Sequence, residues 1–317
     1  MQQPPESLTE AQWAQYERDG FLVLDCAASA DTVAALNARL DDIMLGRVEY
    51  GDKLVMQLDP SSGAAAAATA ATAGAAPGAA ADGEAAACAA YAALGAAFQT
   101  PGFKGASLAY RKVGEAQGGL EVDPLFLAYM RSPLYRAICA RVYGAHAGVA
   151  VYRAMVMSKP AGELGGGTPL PWHQDGGNWW ALDRDPLCFV WLALSAATAE
   201  NGAVEVVRGS HKLGLLSRRG HTLSPELVAR LVDGAPAADR VKVVLKPGQA
   251  FLCHNWTIHR SGVNVTPTAR GASRAVRMAR RSPRATMCTA TTMEARTATT
   301  IRRTPGSTRA PTTTGRM

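Results

Sequence analysis

The chain has 317 residues, of which 48% are hydrophobic and 19% are charged, enough apolar material for one large domain or two small ones. Its formal net charge is +7, but residues 268–317 contain eleven arginines and one acidic residue, whereas the first 267 residues contain 22 basic and 25 acidic side chains. The part expected to fold is therefore slightly acidic, which argues against nucleic acid as its partner.

Cysteine usage and the N-terminus indicate an intracellular protein. The six cysteines are scattered without a CxxC pair or a regular spacing, so they predict neither a zinc knuckle nor a disulfide framework. The N-terminus contains Glu6, Glu10 and Glu17 and no apolar segment, which argues against a secretory signal. No run predicts a membrane span. We expect the cytoplasm as location, with a peroxisome or another organelle left open.

Residues 1–60 predict a helix, a strand and a second helix that lead into the main domain. Thr9 to Gln12 has the form of a capping box, and the helix that follows should end near Asp19. Residues 21–24 form a short apolar run that is typical of a buried strand. Over residues 31–46, apolar side chains recur at spacings of three and four, which predicts an amphipathic helix.

Residues 61–97 consist almost entirely of Ala, Gly and Thr. Such a segment has few large side chains to bury, so we interpret it as a low-complexity insertion that carries no chemistry. The helical pattern resumes over residues 125–143 and is interrupted by Pro133.

Residues 98–270 predict the core of the domain, because short strands follow one another there with turn residues between them. A glycine-rich loop over residues 162–171 separates the first strand from the others. Many short strands at this spacing indicate an antiparallel sandwich or barrel, with the N-terminal helices packed outside it. The predicted strands cover residues 149–158, 187–194, 203–207, 241–245 and 249–254.

His173 and Asp175 are the first candidate functional residues. In an extended backbone, residues i and i+2 point to the same side, so both could face one metal ion. Two histidines and one carboxylate form the facial arrangement of non-haem Fe(II) oxygenases. A third ligand is needed, and His254 and His259 are the candidates; His259 lies just beyond a predicted strand that could lie beside the first.

Four groups of motifs follow one another in a specific order along the chain. The first is Leu8-Thr9-Glu10-Ala11-Gln12 with Asp19-Gly20-Phe21. The others are Trp172-His173-Gln174-Asp175-Gly176, then Asn201-Gly202-Ala203 with Arg208-Gly209-Ser210-His211-Lys212, and then His259-Arg260-Ser261-Gly262-Val263-Asn264. Taken together, these motifs resemble the phytanoyl-CoA dioxygenase family of Fe(II)/2-oxoglutarate oxygenases. The resemblance implies a mainly β (α+β) fold, a double-stranded β-helix of the jelly-roll or cupin type with flanking N-terminal helices.

The resemblance also implies the site and the reaction. Fe(II) would be held by His173, Asp175 and His259. The cosubstrate 2-oxoglutarate would pair its distant carboxylate with Arg270, and Gln174, Trp191 and Ser261 fall where the family contacts this cosubstrate. With O2, and with ascorbate as a candidate reductant, the enzyme would hydroxylate a C–H bond of a small organic or lipid-derived substrate, acyl-CoA included. Asp175 distinguishes the chain from related halogenases, which lack this carboxylate.

Several residues have alternative interpretations. Lys159, at the end of a predicted strand, could reach 2-oxoglutarate or the substrate, or could be solvated. Trp179 and Trp180 could line the substrate entrance or only cover the core. His211 is expected to be structural or to support the metal ligands without binding the metal.

Residues 271–317 form an Arg- and Thr-rich tail in which we expect at most one poor strand, followed by disorder. A genuine basic extension that binds nucleic acid is a weak alternative, because the tail has no aromatic residue for base stacking. A lost reading frame near residues 267–274 is the favoured hypothesis, and translation of the other two frames would test it. If the barrel cannot close, the chain would be an impaired relative that binds a metal or small ligand without turnover.

Overall fold

A computed structural model describes residues 3–50, 53–58, 110–114, 119–159, 169–177, 180, 182, 184–217, 222–267 and 270–280. The Ala-rich insertion, Trp179, most of the glycine-rich loop and the tail beyond residue 280 lie outside these residues. No helix within the described ranges is long and apolar enough to cross a membrane.

Five α-helices longer than three residues occur in the described part of the chain, and four of them precede the strand-rich core. The capping box forms as predicted, since the Thr9 side chain accepts a hydrogen bond from the Gln12 N–H and the Gln12 side chain reaches back to the Thr9 N–H. In chain order the helices are α1 (Glu10–Asp19), α2 (Ala30–Met44), α3 (Pro124–Met130), α4 (Pro133–Tyr143) and α5 (Pro225–Val228), the last of which continues as a π-helical turn over Ala229–Asp233.

The described residues form eleven strands, and these include all five strands that the sequence predicted for the core. Short strands next to the glycine-rich loop, after His254 and before α3 were missed, because three or four residues carry no readable alternation. The strands are β1 (Phe21–Leu24), β2 (Met56–Leu58), β3 (Tyr110–Val113), β4 (Val149–Lys159), β5 (Leu170–His173), β6 (Cys188–Ala193), β7 (Val204–Val207), β8 (Arg240–Val243), β9 (Ala250–His254), β10 (His259–Ser261) and β11 (Arg270–Arg280).

The strands form two antiparallel sheets. The major sheet has the order β1-β9-β6-β11-β4-β3-β2, and the minor sheet has the order β5-β10-β7-β8. An apolar cluster that we call the inner cluster lies between them and joins major-sheet residues such as Phe189 and Phe251 to minor-sheet residues such as Val206 and Val243. The opposite face of the major sheet packs against α1 to α4 in a separate cluster that contains Leu36 and Leu252. The predicted jelly-roll core with helices on its outside is confirmed.

The last strand is the one strand that the sequence allowed after residue 270. Residues 270–280 form an eleven-residue strand, β11, which pairs with β4 on one edge and β6 on the other. It therefore lies in the middle of the major sheet. A strand that is poor by composition can still form there, because neighbours on both sides take up its backbone N–H and C=O groups. The reading-frame hypothesis stays a prediction.

Candidate metal centre

His173 and His259 are brought together by the pairing of two short strands. β5 and β10 run antiparallel, and His173 and His259 are direct cross-strand partners. Partners of this kind project from the same face of a sheet, and the two imidazole ring centroids are 4.1 Å apart. Asp175 follows just beyond β5, where its backbone N–H donates to the carbonyl of Asn255 at 2.8 Å.

The three side chains offer ligand atoms that all lie within 4.8 Å of one another, and all three residues are buried. His259 Nε2 is 3.7 Å from Asp175 Oδ2. Nδ1 of His173 lies 2.8 Å from the carbonyl oxygen of Pro171, and Nδ1 of His259 lies 2.8 Å from that of Thr257. A carbonyl can only accept, so each Nδ1 donates, and in the neutral imidazole this leaves Nε2 with the lone pair that a metal needs. The geometry and tautomers fit a divalent cation with open coordination positions.

His254, the alternative third ligand, lies elsewhere. Its Nδ1 accepts a hydrogen bond from the Trp256 N–H at 3.1 Å, and its ring packs against His211 at a centroid distance of 5.2 Å. Burial, and secondly the nearby His211, lower the pKa of His254 to about 4. Among the described residues, the only group of three or more potential ligands is His173, Asp175 and His259.

Gln174 is fully buried between the two metal-ligand candidates and holds the surrounding loops. Its amide nitrogen donates to the carbonyls of Gly214 (2.9 Å) and Trp256 (2.6 Å), and its carbonyl oxygen accepts from the Leu216 N–H (2.8 Å). The amide therefore fixes the backbone on both sides of the site. Its expected contact with 2-oxoglutarate stays a prediction.

The other predicted cosubstrate residues lie on strands that border the space between the sheets. Trp191, on β6, belongs to the inner cluster, and its ring centroid is 5.7 Å from that of Phe251. Ser261 is buried on β10, two residues after His259. Arg270 begins β11, where its backbone is paired with Lys159.

Two buried lysines add positive charge to the inner face of the major sheet. Lys159 is only 5% exposed, so the solvated alternative is wrong. Lys112, which the sequence analysis missed, is 7% exposed and is the cross-strand partner of Met157, a residue that packs against the inner cluster. A lysine within an otherwise ordinary four-residue strand carries no signal that it is buried. Buried ammonium groups require anionic or polar partners.

Gly202 allows the close approach that encloses Lys159. Its φ is 82°, and a Cβ placed there would lie 2.6 Å from the Gly262 carbonyl oxygen and 2.8 Å from Lys159 Cδ. The turn at Asn201-Gly202 therefore needs glycine for its backbone conformation and for space.

His211 and Trp180 are both packed within the fold. His211 Nε2 lies 3.2 Å from the Glu17 carbonyl, and a Cβ on Gly20 would meet His211 Nδ1, so the ring supports the corner between α1 and β1. This agrees with the expected structural role. Trp180 is 2% exposed.

A jelly roll that holds two histidines and one carboxylate on one buried face is typical of the non-haem Fe(II), 2-oxoglutarate-dependent oxygenases. The family model described as "Phytanoyl-CoA dioxygenase (PhyH)" matches residues 16–272, and the chain belongs to this family. It is an enzyme of the dioxygenase type that depends on iron and 2-oxoglutarate.

Individual proteins agree with this assignment. Phytanoyl-CoA dioxygenase 1 of Oryza sativa subsp. japonica is 27% identical over 277 residues, which cover 85% of this chain and 88% of the relative. The apo structure of EctD from S. alaskensis is similar in fold with a TM-score of 0.58, 19% identity, and coverage of 86% of this chain and 76% of EctD. The 2-oxoglutarate-dependent epimerase SnoN has a TM-score of 0.52, 18% identity and coverage of 86% and 82%.

Proposed function

We propose that the protein hydroxylates a C–H bond of a small organic or lipid-derived substrate, with acyl-CoA thioesters among the candidates. 2-Oxoglutarate, O2 and the substrate would be consumed, and succinate, CO2 and the alcohol would be released. The observation that supports this most strongly is the buried His173, Asp175 and His259 set, with its histidine tautomers held for metal binding. Ascorbate is a candidate reductant.

His173, Asp175 and His259 would hold Fe(II), which leaves three of six octahedral positions for 2-oxoglutarate and O2. Bound iron would couple the oxidative decarboxylation of 2-oxoglutarate to oxidation of the substrate. The protein's own contribution is to orient the ligands, through the Pro171 and Thr257 carbonyls and the Asn255 contact to Asp175, and to exclude water.

Succinate release tests the proposal directly. With Fe(II), 2-oxoglutarate and O2, the wild type should release succinate, and a true substrate should increase the rate and acquire one oxygen atom from O2. Asp175→Ala should lower succinate release at least about 100-fold, because it removes the only carboxylate of the set. Liquid chromatography with mass spectrometry measures both products.

Two other outcomes would contradict the proposal. Binding of Fe(II) and 2-oxoglutarate without any succinate from the wild type would identify an impaired, ligand-binding relative. A substrate that changes stereochemistry without gaining oxygen would identify epimerase chemistry of the kind named for SnoN.

Arg270 is proposed to pair with the distant carboxylate of 2-oxoglutarate, with Lys112 and Lys159 supplying further positive charge on the inner face of the major sheet. A guanidinium can form two parallel hydrogen bonds to a carboxylate, each of the charge-assisted kind.

Arg270→Ala should weaken 2-oxoglutarate binding about tenfold or more, because charge-assisted hydrogen bonds contribute about 1.5–3 kcal/mol. Anaerobic calorimetry with Fe(II)-loaded protein measures this affinity. Arg274→Ala, on the same strand but paired with Leu192 and Val156, serves as control and should change the affinity less than about twofold. Equal affinity of the wild type and Arg270→Ala would exclude Arg270 as the anchor.

A further inference from the structure

An irregularity in β4 places two neighbouring side chains on the same face of the major sheet. Arg277 of β11 is paired with Arg153, but the next residue, Met278, is paired with Val151, so Tyr152 is an extra residue on β4. On the opposite face of the sheet, Ala154 belongs to the cluster that contains Leu36 and Leu252, and Val151 packs against it. Because a bulge puts two residues opposite one, Tyr152 and Arg153 between them both project towards the inner face.

Tyr152 and Arg153 are organised around Trp180. The rings of Tyr152 and Trp180 are stacked with centroids 5.3 Å apart, and the Tyr152 hydroxyl donates to the Trp180 carbonyl at 2.8 Å. The Arg153 guanidinium carbon lies 5.1 Å from the Trp180 ring centroid and 5.6 Å from that of Tyr152. Stacking on aromatic faces orients a guanidinium, and carboxylates bind guanidinium groups in their plane.

This cluster lies at the level of the metal centre. Arg277 is the register partner of both Arg153 on β4 and Phe189 on β6, and the Phe189 ring centroid is 5.5 Å from that of His259. Two strand spacings correspond to roughly 10 Å between the backbones at Phe189 and Arg153. The chain after Asp175 also links the metal centre to this cluster, since the Trp180 N–H donates to the Gly177 carbonyl at 3.0 Å.

Asp185 stabilises the backbone that follows Asp175. Its carboxylate accepts a hydrogen bond from the Gly177 N–H at 2.9 Å, and a Cβ on Gly176 would lie 2.9 Å from the same carboxylate. The Asp185 carboxylate therefore supports the backbone at Gly176 and Gly177, directly after Asp175. The position of Trp180 beside Arg153 is thus coupled to that of the candidate metal ligand.

We infer that Arg153, oriented by Tyr152 and Trp180, binds a carboxylate of the substrate, so that the preferred substrates are organic acids oxidised several bonds away from their carboxylate. The inference rests on the proposed function, because it assigns the substrate class of the same metal centre. It is separate from the cosubstrate: Lys159 and the paired Arg270 lie at the C-terminal end of β4, whereas Arg153 lies near the middle of the strand. The C-terminal end of β4 would serve 2-oxoglutarate, and the middle of the strand would serve the substrate.

Matched probes test the inference. Octanoate and octanamide have the same carbon chain but differ in charge at neutral pH. They are titrated by calorimetry under nitrogen into the full-length protein saturated with Fe(II) and 2-oxoglutarate. We expect octanoate to bind the wild type at least about tenfold more tightly than octanamide. Arg153→Gln should reduce this preference to less than about twofold, and Arg153→Lys, which keeps the charge, should retain part of it.

Arg141→Gln is the control, because Arg141 also stacks on a tryptophan, Trp13, but lies in the helical layer with Glu10 as its ion-pair partner. It should keep the full preference for octanoate. Failure of octanoate to bind, equal binding of the two probes, or an unchanged preference in a folded Arg153→Gln variant would each overturn the inference. Failure of the wild-type protein to bind Fe(II) or 2-oxoglutarate would instead contradict the proposed function.

Discussion

His259→Ala should lower the affinity of the protein for Fe(II) at least about 100-fold, because loss of residues that only support metal ligands already costs about 10–100-fold. The expectation follows from the cross-strand pairing of His259 with His173 and from the protonated Nδ1 that leaves its Nε2 available. Anaerobic equilibrium dialysis measures the affinity, and circular dichroism establishes that the variant is folded.

His254→Ala is the matched comparison. His254 lies five residues earlier and uses its Nδ1 to accept the Trp256 N–H, so removing its imidazole should change the Fe(II) affinity less than about threefold. If the larger loss occurred in His254→Ala, the assignment of the third ligand would be wrong. If neither substitution changed the affinity, the metal centre itself would be wrong.

Asp123→Ala should reduce the free energy of unfolding by about 3–4 kcal/mol. The carboxylate is fully buried and has four partners: it caps α3 by accepting from the Leu125 and Phe126 N–H groups, accepts a hydrogen bond from the Tyr50 hydroxyl at 2.7 Å, and pairs with Arg39 at 2.9 Å. Its removal leaves a partly buried guanidinium and a hydroxyl without their partner. Urea denaturation followed by circular dichroism gives the free energy.

Asp42→Ala provides the control for this effect. Asp42 also pairs with an arginine, Arg47, at 3.1 Å, but its side chain is 37% exposed and that of Arg47 is 63% exposed. Exposed ion pairs contribute less than about 1 kcal/mol, so this variant should unfold close to the wild-type midpoint. Equal destabilisation by the two substitutions would show that burial of Asp123 is not the cause.

Local patterns predicted much of this fold because their physical causes are local. The capping box at Thr9 depends on two side chains three residues apart, and the helix over residues 125–143 divides at Pro133, since proline cannot donate the hydrogen bond of a helix interior. β6 and β9 were recognisable as apolar runs that must be buried on both faces. The spacing of His173 and Asp175 is likewise a local property of extended backbone.

Other features depend on partners that are distant in the chain. Nothing near Arg153 in the sequence indicates a bulge, because the bulge exists only in the register between β4 and β11. Burial of Lys112 and Lys159 also follows from which face of the sheet is covered. β11 shows the same dependence, since two neighbouring strands stabilise a segment whose composition alone predicts at most a poor strand.

The sequence by itself determined the helical entry, the succession of short strands, and a family resemblance that nominated His173, Asp175 and His259. Only the tertiary structure decided that β5 and β10 pair with His173 opposite His259, while His254 lies outside this group of potential ligands. The physical reason is the separation in sequence over which each interaction acts. Helix caps and side-chain alternation depend on residues a few positions apart, whereas a metal centre requires side chains from distant strands, whose distances are set by the sheet register.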